Sequence, residues 1–260
     1  MFGALSVILV VGLVSGGLAV AGVFDRGPSE AELKAQREAA AAADLAKQQE
    51  AVRADFENLM SHRDVFFAAE RQFLPAMKRA TAATTAYNKK VADVEAENER
   101  IRAAYAPAYA ECAQYSYVSC PNPDYADMPD APDISDEVKQ LEAVSKSMNA
   151  LKAELVGVQA EGDMATAYAQ LQSAAETLGE DAKENATILN EAVQIYDEGE
   201  GAGYVDKTKL KALNGNDALP SIKQMNATLV QVLKDAKIAV GTYDLPGGRD
   251  LDKADHSMSI

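Results

Sequence analysis

Ten residues recur at seven-residue steps without a gap: Leu45, Val52, Leu59, Phe66, Phe73, Ala80, Tyr87, Val94, Ile101 and Ala108. No other feature restricts the fold as much. A row at period 3.5 describes a long helix packed in a coiled coil or bundle. The partner row, four residues on, is mixed. Phe56, Met77, Val91 and Tyr105 are apolar or aromatic, whereas Arg63, Glu70, Thr84 and Asn98 interrupt it. Ser29, with Glu32 three residues later, predicts a capping box that starts the helix. Pro75 lacks a backbone donor and predicts a kink or break near Phe73–Leu74.

Five of the nine prolines (Pro107, Pro121, Pro123, Pro129 and Pro132) fall between Tyr105 and Pro132, where helix is expected to stop. Ser135 is then read as the cap of a second helical run. Leu141, Val144, Met148, Leu151, Leu155 and Val158 carry its seam. The seam afterwards shifts to Tyr168, Leu171, Ala175, Leu178, Ala182, Leu189, Val193 and Tyr196. Gly162 and Gly179 are weak points along it, each costing about 1 kcal/mol against alanine in a helix interior. A short helix is expected over Asp206–Leu213, and a further one, capped by Asp217, carries Ile222, Met225, Leu229, Leu233, Ala236 and Val240. No alternating pattern with hairpin turns marks a β-sheet.

Met1–Phe24 contains no charged or amide side chain. At 1.5 Å per residue it reaches about 36 Å, enough for a hydrocarbon core of about 30 Å, and is read as a transmembrane helix. Ala19-Val20-Ala21 resembles a signal-peptidase site, so a cleaved signal peptide competes with an anchor. The lack of Lys or Arg before the run, and its length, favour the anchor. Gly12 and Gly16 form a G-x-x-x-G, extended by Ser15 and Ala19. Such a small-residue strip suits close packing on another membrane helix. Arg26, Lys34 and Arg37 after the span point to a cytoplasmic body, but acids are interspersed with them. A cysteine pair points the other way, and the extracytoplasmic side is expected.

Cys112 and Cys120 could close a small loop, worth roughly 2–3 kcal/mol by chain entropy. Their spacing matches neither a redox C-x-x-C nor a zinc site. The expectation is a structural disulfide stapling the turn between two helical arms. Tyr115, Tyr117 and Tyr125 lie on or beside that loop and are expected to contact a partner protein, whereas Tyr105 and Tyr109 could instead be the last core layers of the first arm.

The chain carries 40 acids against 25 bases, a formal charge of −15. This sign argues against nucleic acid as a partner. The imbalance is uneven: residues 25–112 hold 15 acids and 13 bases, residues 113–260 hold 25 and 12. Asp124, Asp127, Asp130, Asp133, Asp136 and Glu137 lack the alternation of a calcium loop and read as a solvated segment. His62 and His256 stand apart, and there is no H-E-x-x-H, G-x-S-x-G or Walker A. No catalytic residue, metal ligand or cofactor is expected.

The expected fold is therefore all-α: one N-terminal transmembrane helix, then a long antiparallel helical hairpin or coiled-coil-like bundle. The divisions are an anchor (1–24), a first arm (25–112), a tip loop (113–134), a second arm (135–199), short C-terminal helices (200–241) and a tail (242–260). If straight, the first arm from Ser29 to Glu111 would measure about 125 Å and the second, from Ser135 to Glu198, about 95 Å. A kink at Pro75 would fold them into a shorter, thicker bundle. The expected function is a non-enzymatic, single-pass accessory subunit or scaffold of a larger integral membrane complex, of respiratory or transport type. The alternatives are a helical-bundle binding protein for a lipid or small ligand, and a self-associating envelope coiled coil forming a homo-oligomer.

Overall fold

The computed structural model describes residues 29–114, 120, 122–194, 204–213, 215 and 217–242. The expected anchor, Met1–Phe24, with Gly12, Ser15, Gly16 and Ala19, lies outside the described residues. So do the glycine-rich turn at 197–203, Tyr196, and the tail from 243, including His256. Among the described residues no helix is long and apolar enough to cross a membrane.

The protein is all-helical. Helix α1 spans Glu30–Cys112, α2 Ser135–Val156, α3 Gly162–Ala192, α4 Lys207–Leu210 and α5 Leu219–Asp235. Among the described residues the only sheet is a two-residue antiparallel ladder, Val193–Gln194 with Tyr204–Val205, which ties the end of α3 to the start of α4.

The chain divides into two compact units, Met1–Ala46 and Lys47–Ile260. In the first, Ser29 caps α1 reciprocally with Glu32: the Ser29 N–H donates to Glu32 Oε2 at 2.8 Å and the Glu32 N–H to Ser29 Oγ at 3.4 Å. That backbone donation holds the Glu32 carboxyl below its usual range. From Glu30 to Ala46 every residue except Leu45 is exposed.

The second unit is a four-helix bundle running up, down, up, down. Cross-contacts fix the order. Arg79 on α1 meets Glu137 near the start of α2, while His62 lies 3.9 Å from Glu154 near its end. The Tyr168 hydroxyl at the start of α3 donates to the Asp55 carbonyl and accepts from Asn58 Nδ2, both at 3.0 Å. Helix α5 then runs back: Thr228 donates to Gln170 on α3, and Gln49 Nε2 donates to the Ala236 carbonyl just past its end. Between the helices lie Phe56, Leu59, Phe66, Phe73, Met77, Leu141, Met148, Leu151, Leu171, Leu178, Leu189 and Ile222, all buried. Burying each such side chain contributes about 1.5–3 kcal/mol.

Several expectations are corrected here. Pro75 does not end the first helix, nor does Pro107; α1 is continuous to Cys112. Pro75 is exposed while Phe73, Ala76 and Met77 beside it are buried, so packing offsets a cost of about 3 kcal/mol. The fold-back occurs instead in the second arm, at Gly157–Glu161, where the chain turns between α2 and α3. Gly162 begins α3 at φ +57°, a left-handed conformation that side chains resist. Gly179 is a contact rather than a weak point: a Cβ there would lie 3.1 Å from Met148 Cβ, so α2 and α3 approach closely. Ile134, not Ser135, occupies the cap of α2, and Asp133 Oδ1 accepts from the Ser135 N–H at 3.0 Å. Asp217 lies one residue outside the α5 cap, Ala218, and its N–H donates to Asp181 Oδ2 at 3.2 Å. The short helix is one turn, held by Asp206, whose side chain accepts from Thr208 and Lys209 N–H.

The interrupted row of α1 is buried as well. Arg63, Glu70 and Thr84 all face inward, and Thr84 returns its hydroxyl proton to the Ala80 carbonyl at 3.0 Å.

Candidate functional site: the disulfide-closed tip

Beyond Tyr87 helix α1 outruns the helices that pack on it. From Lys89 to Cys112 it continues for about 36 Å. Its apolar row is half-buried there, at Val91, Val94, Ile101 and Tyr105, and fully exposed by Ala108.

The cover comes from the segment between α1 and α2, which has no regular structure from Asn122 to Ile134. Asn98 grips it at two points: Nδ2 donates to the Ala126 carbonyl at 3.0 Å, and Oδ1 accepts the Ala126 N–H at 2.7 Å. One side-chain amide thus satisfies both backbone groups of a residue that has no strand partner. Further down, the Asp130 charge reaches Tyr87; together with burial, the larger cause, it pushes the phenol above its ordinary value. From Asn98 to Tyr87 the helix rises about 16 Å. Ala126 to Asp130 covers nearly the same distance in four extended steps, about 13 Å. The segment therefore descends α1 antiparallel to it. Asp133 then joins it to α2, and the Ser135 N–H lowers that carboxyl below its usual range.

At the top, Cys112 and Cys120 are bonded, with Cα atoms 5.7 Å apart. The bridge joins the last residue of α1 to the start of the descending segment. The tip is thus closed by a covalent bond above and a hydrogen-bonded clamp below.

Among the described residues, three large hydrophobic side chains remain open to solvent on this projection. Tyr109 is 55% exposed, Tyr125 42% and Met128 41%. Tyr125 immediately precedes the clamped Ala126, so its backbone is held while its ring is free. Tyr115 and Tyr117 lie outside the described residues. Tyr109 is not a core layer. Sequence reasoning missed Met128 and the role of Asn98; the latter left a signal, as a polar residue at a seam position of the first arm.

His62 is half-buried on α1, with Nδ1 2.8 Å from the Asn58 carbonyl and its ring edge-on to Tyr168. Among the described residues no group of His, Cys, Asp and Glu could hold a metal ion. The acidic run from Asp124 to Glu137 is spread along the descending segment and the first turn of α2, where Glu137 pairs with Arg79 at 2.9 Å. No protein-family model, curated protein or solved structure matches this chain.

Proposed function

We propose that this protein is a non-enzymatic, single-pass accessory subunit that presents its tip to a partner protein on the extracytoplasmic side of a membrane. Met1–Phe24 anchors it, and the strip of Gly12, Ser15, Gly16 and Ala19 docks on a helix of a larger integral membrane complex of respiratory or transport type. One observation supports the reading above the others. The tip is rigidified twice, by Cys112–Cys120 and by Asn98, yet leaves Tyr109, Tyr125 and Met128 open. Order without burial suits a contact surface, because side chains carried on a backbone already held in place need less ordering on binding. The disulfide supports an oxidising compartment.

Two measurements test this. Thiol labelling of intact cells should modify Cys112 and Cys120 only after reduction, without permeabilising the membrane. Photo-crosslinking from position 128 in detergent extracts should then capture a membrane-complex subunit, and Y125A should reduce capture at unchanged expression. Free thiols reached only after permeabilisation would overturn the topology. Recovery solely as an uncrosslinked monomer would overturn the accessory role.

A further inference from the structure

We propose that the outer groove between α2 and α3 binds a small polyol phosphate, a site separate from the tip. The groove encloses about 600 Å³ and is lined by Ser145, Lys146 and Asn149 of α2 with Lys183, Thr187 and Asn190 of α3, among others. This volume lies within the range of small-molecule sites.

The helix register brings the donors together. Lys152 pairs with Glu176, and Met148 lies against Gly179. Continuing that antiparallel match sets Lys183 opposite Val144 and Ser145, beside Lys146. Both lysines therefore line the groove beside Ser145. Neither Lys146 nor Lys183 has a carboxylate within 4.0 Å among the described residues, in a protein with fifteen more acids than bases. Ser145 is only 6% exposed and lines the groove, and its hydroxyl, open to solvent there, has no hydrogen-bond partner among the described residues. That hydroxyl is free to donate to an entering oxyanion. Lysine binds phosphate as a point charge, so two of them with a serine and the Asn149 amide suit a tetrahedral dianion.

The rest of the groove differs in character. Thr187 donates to its own helix at the Lys183 carbonyl, which leaves its oxygen able to accept. Asn190 adds an amide, and the carboxylates Glu142 and Glu191 accept only. Lys209 holds Glu191 at 3.1 Å. Acceptors beyond a cationic rung fit hydroxyl groups carried by the phosphate, and they disfavour a second phosphate.

The test is nitrogen-resolved NMR titration of the full chain in detergent with inorganic phosphate, glycerol 3-phosphate, glucose 6-phosphate and glucose, with sodium sulfate as the salt control. The expected result is a saturable shift at Ser145, Lys146 and Lys183 that is stronger for the two polyol phosphates than for phosphate, sulfate or glucose. It should weaken below about pH 6, where the phosphate gains a proton. K146A/K183A should weaken binding by about tenfold or more, while K139A, which removes an exposed lysine elsewhere on α2, leaves it unchanged. Vesicles containing phosphatidylglycerol form a second arm. A response to vesicles with none to the free compounds would assign the polyol phosphate to a lipid headgroup. No saturable shift in either arm, or equal shifts with sulfate that survive K146A/K183A, would overturn the proposal.

Discussion

Asp181 is one of the buried charged residues of the bundle. Only 8% exposed on α3, it accepts the Asp217 N–H, yet burial, aided by Asp217, Glu184 and Glu180, pushes its carboxyl up to about 6. The folded state therefore prefers the proton. Stability from this group is full below the unfolded value near 4 and is lost as pH rises through about 6, by at most about 3 kcal/mol. D181N keeps an acceptor for Asp217 and removes the charge. It should raise Tm at pH 7.5 and flatten the dependence of Tm on pH between 4 and 7; a Tm lowered at pH 7.5 would refute the assignment. Asn98 is the corresponding residue at the tip. N98A frees both backbone groups of Ala126, at a cost of about 1–2 kcal/mol. Faster hydrogen exchange at the Ala126 amide, with protection in α3 unchanged, is the expected readout.

At the scale of elements, Gly179 lets α3 approach α2 closely at Met148. G179V would drive methyl groups into Met148 and toward the Ser145 carbonyl, 3.7 Å from the position of the first added carbon. A loss of about 2 kcal/mol is expected in denaturant titration, exceeding any gain in helix propensity. The elements also show how far the sequence could be read. The α1 seam, the capping box and the change of seam after Val158 were legible because periodicity records which face is buried. The Gly157–Glu161 turn was not, since it contains no proline, and a shift of seam fits a bent helix as well as a broken one. The prolines misled in the opposite direction. Pro75 and Pro107 each sit on an exposed face, and at Pro75 propensity yields to the buried Phe73, Ala76 and Met77 around it. Within the tip, the cysteine spacing announced the staple, but the clamp joins residues 28 apart. The groove joins lysines of two helices, and no local pattern can encode such a meeting.

On the scale of the whole molecule, the bundle and the tip are stabilised by different means, one by buried side chains and one by cross-links. Reduction should separate them. With Cys112–Cys120 opened, far-UV circular dichroism should keep most of its helical signal, because Phe56 to Tyr87 stay packed. Limited proteolysis should meanwhile begin cutting between residues 105 and 125. Simultaneous loss of helix throughout would show that the tip nucleates the rest. The pairing of a helical ascent with an extended descent also sets a gearing between two stretches of sequence. Seven residues of α1 climb about 10 Å, which the unwound leg covers in about three. Growth or shrinkage of the projection over generations must then proceed in unequal steps, roughly a heptad on one leg for each triplet on the other. A mismatch would slide Asn98 off Ala126 or pull the two cysteines out of reach.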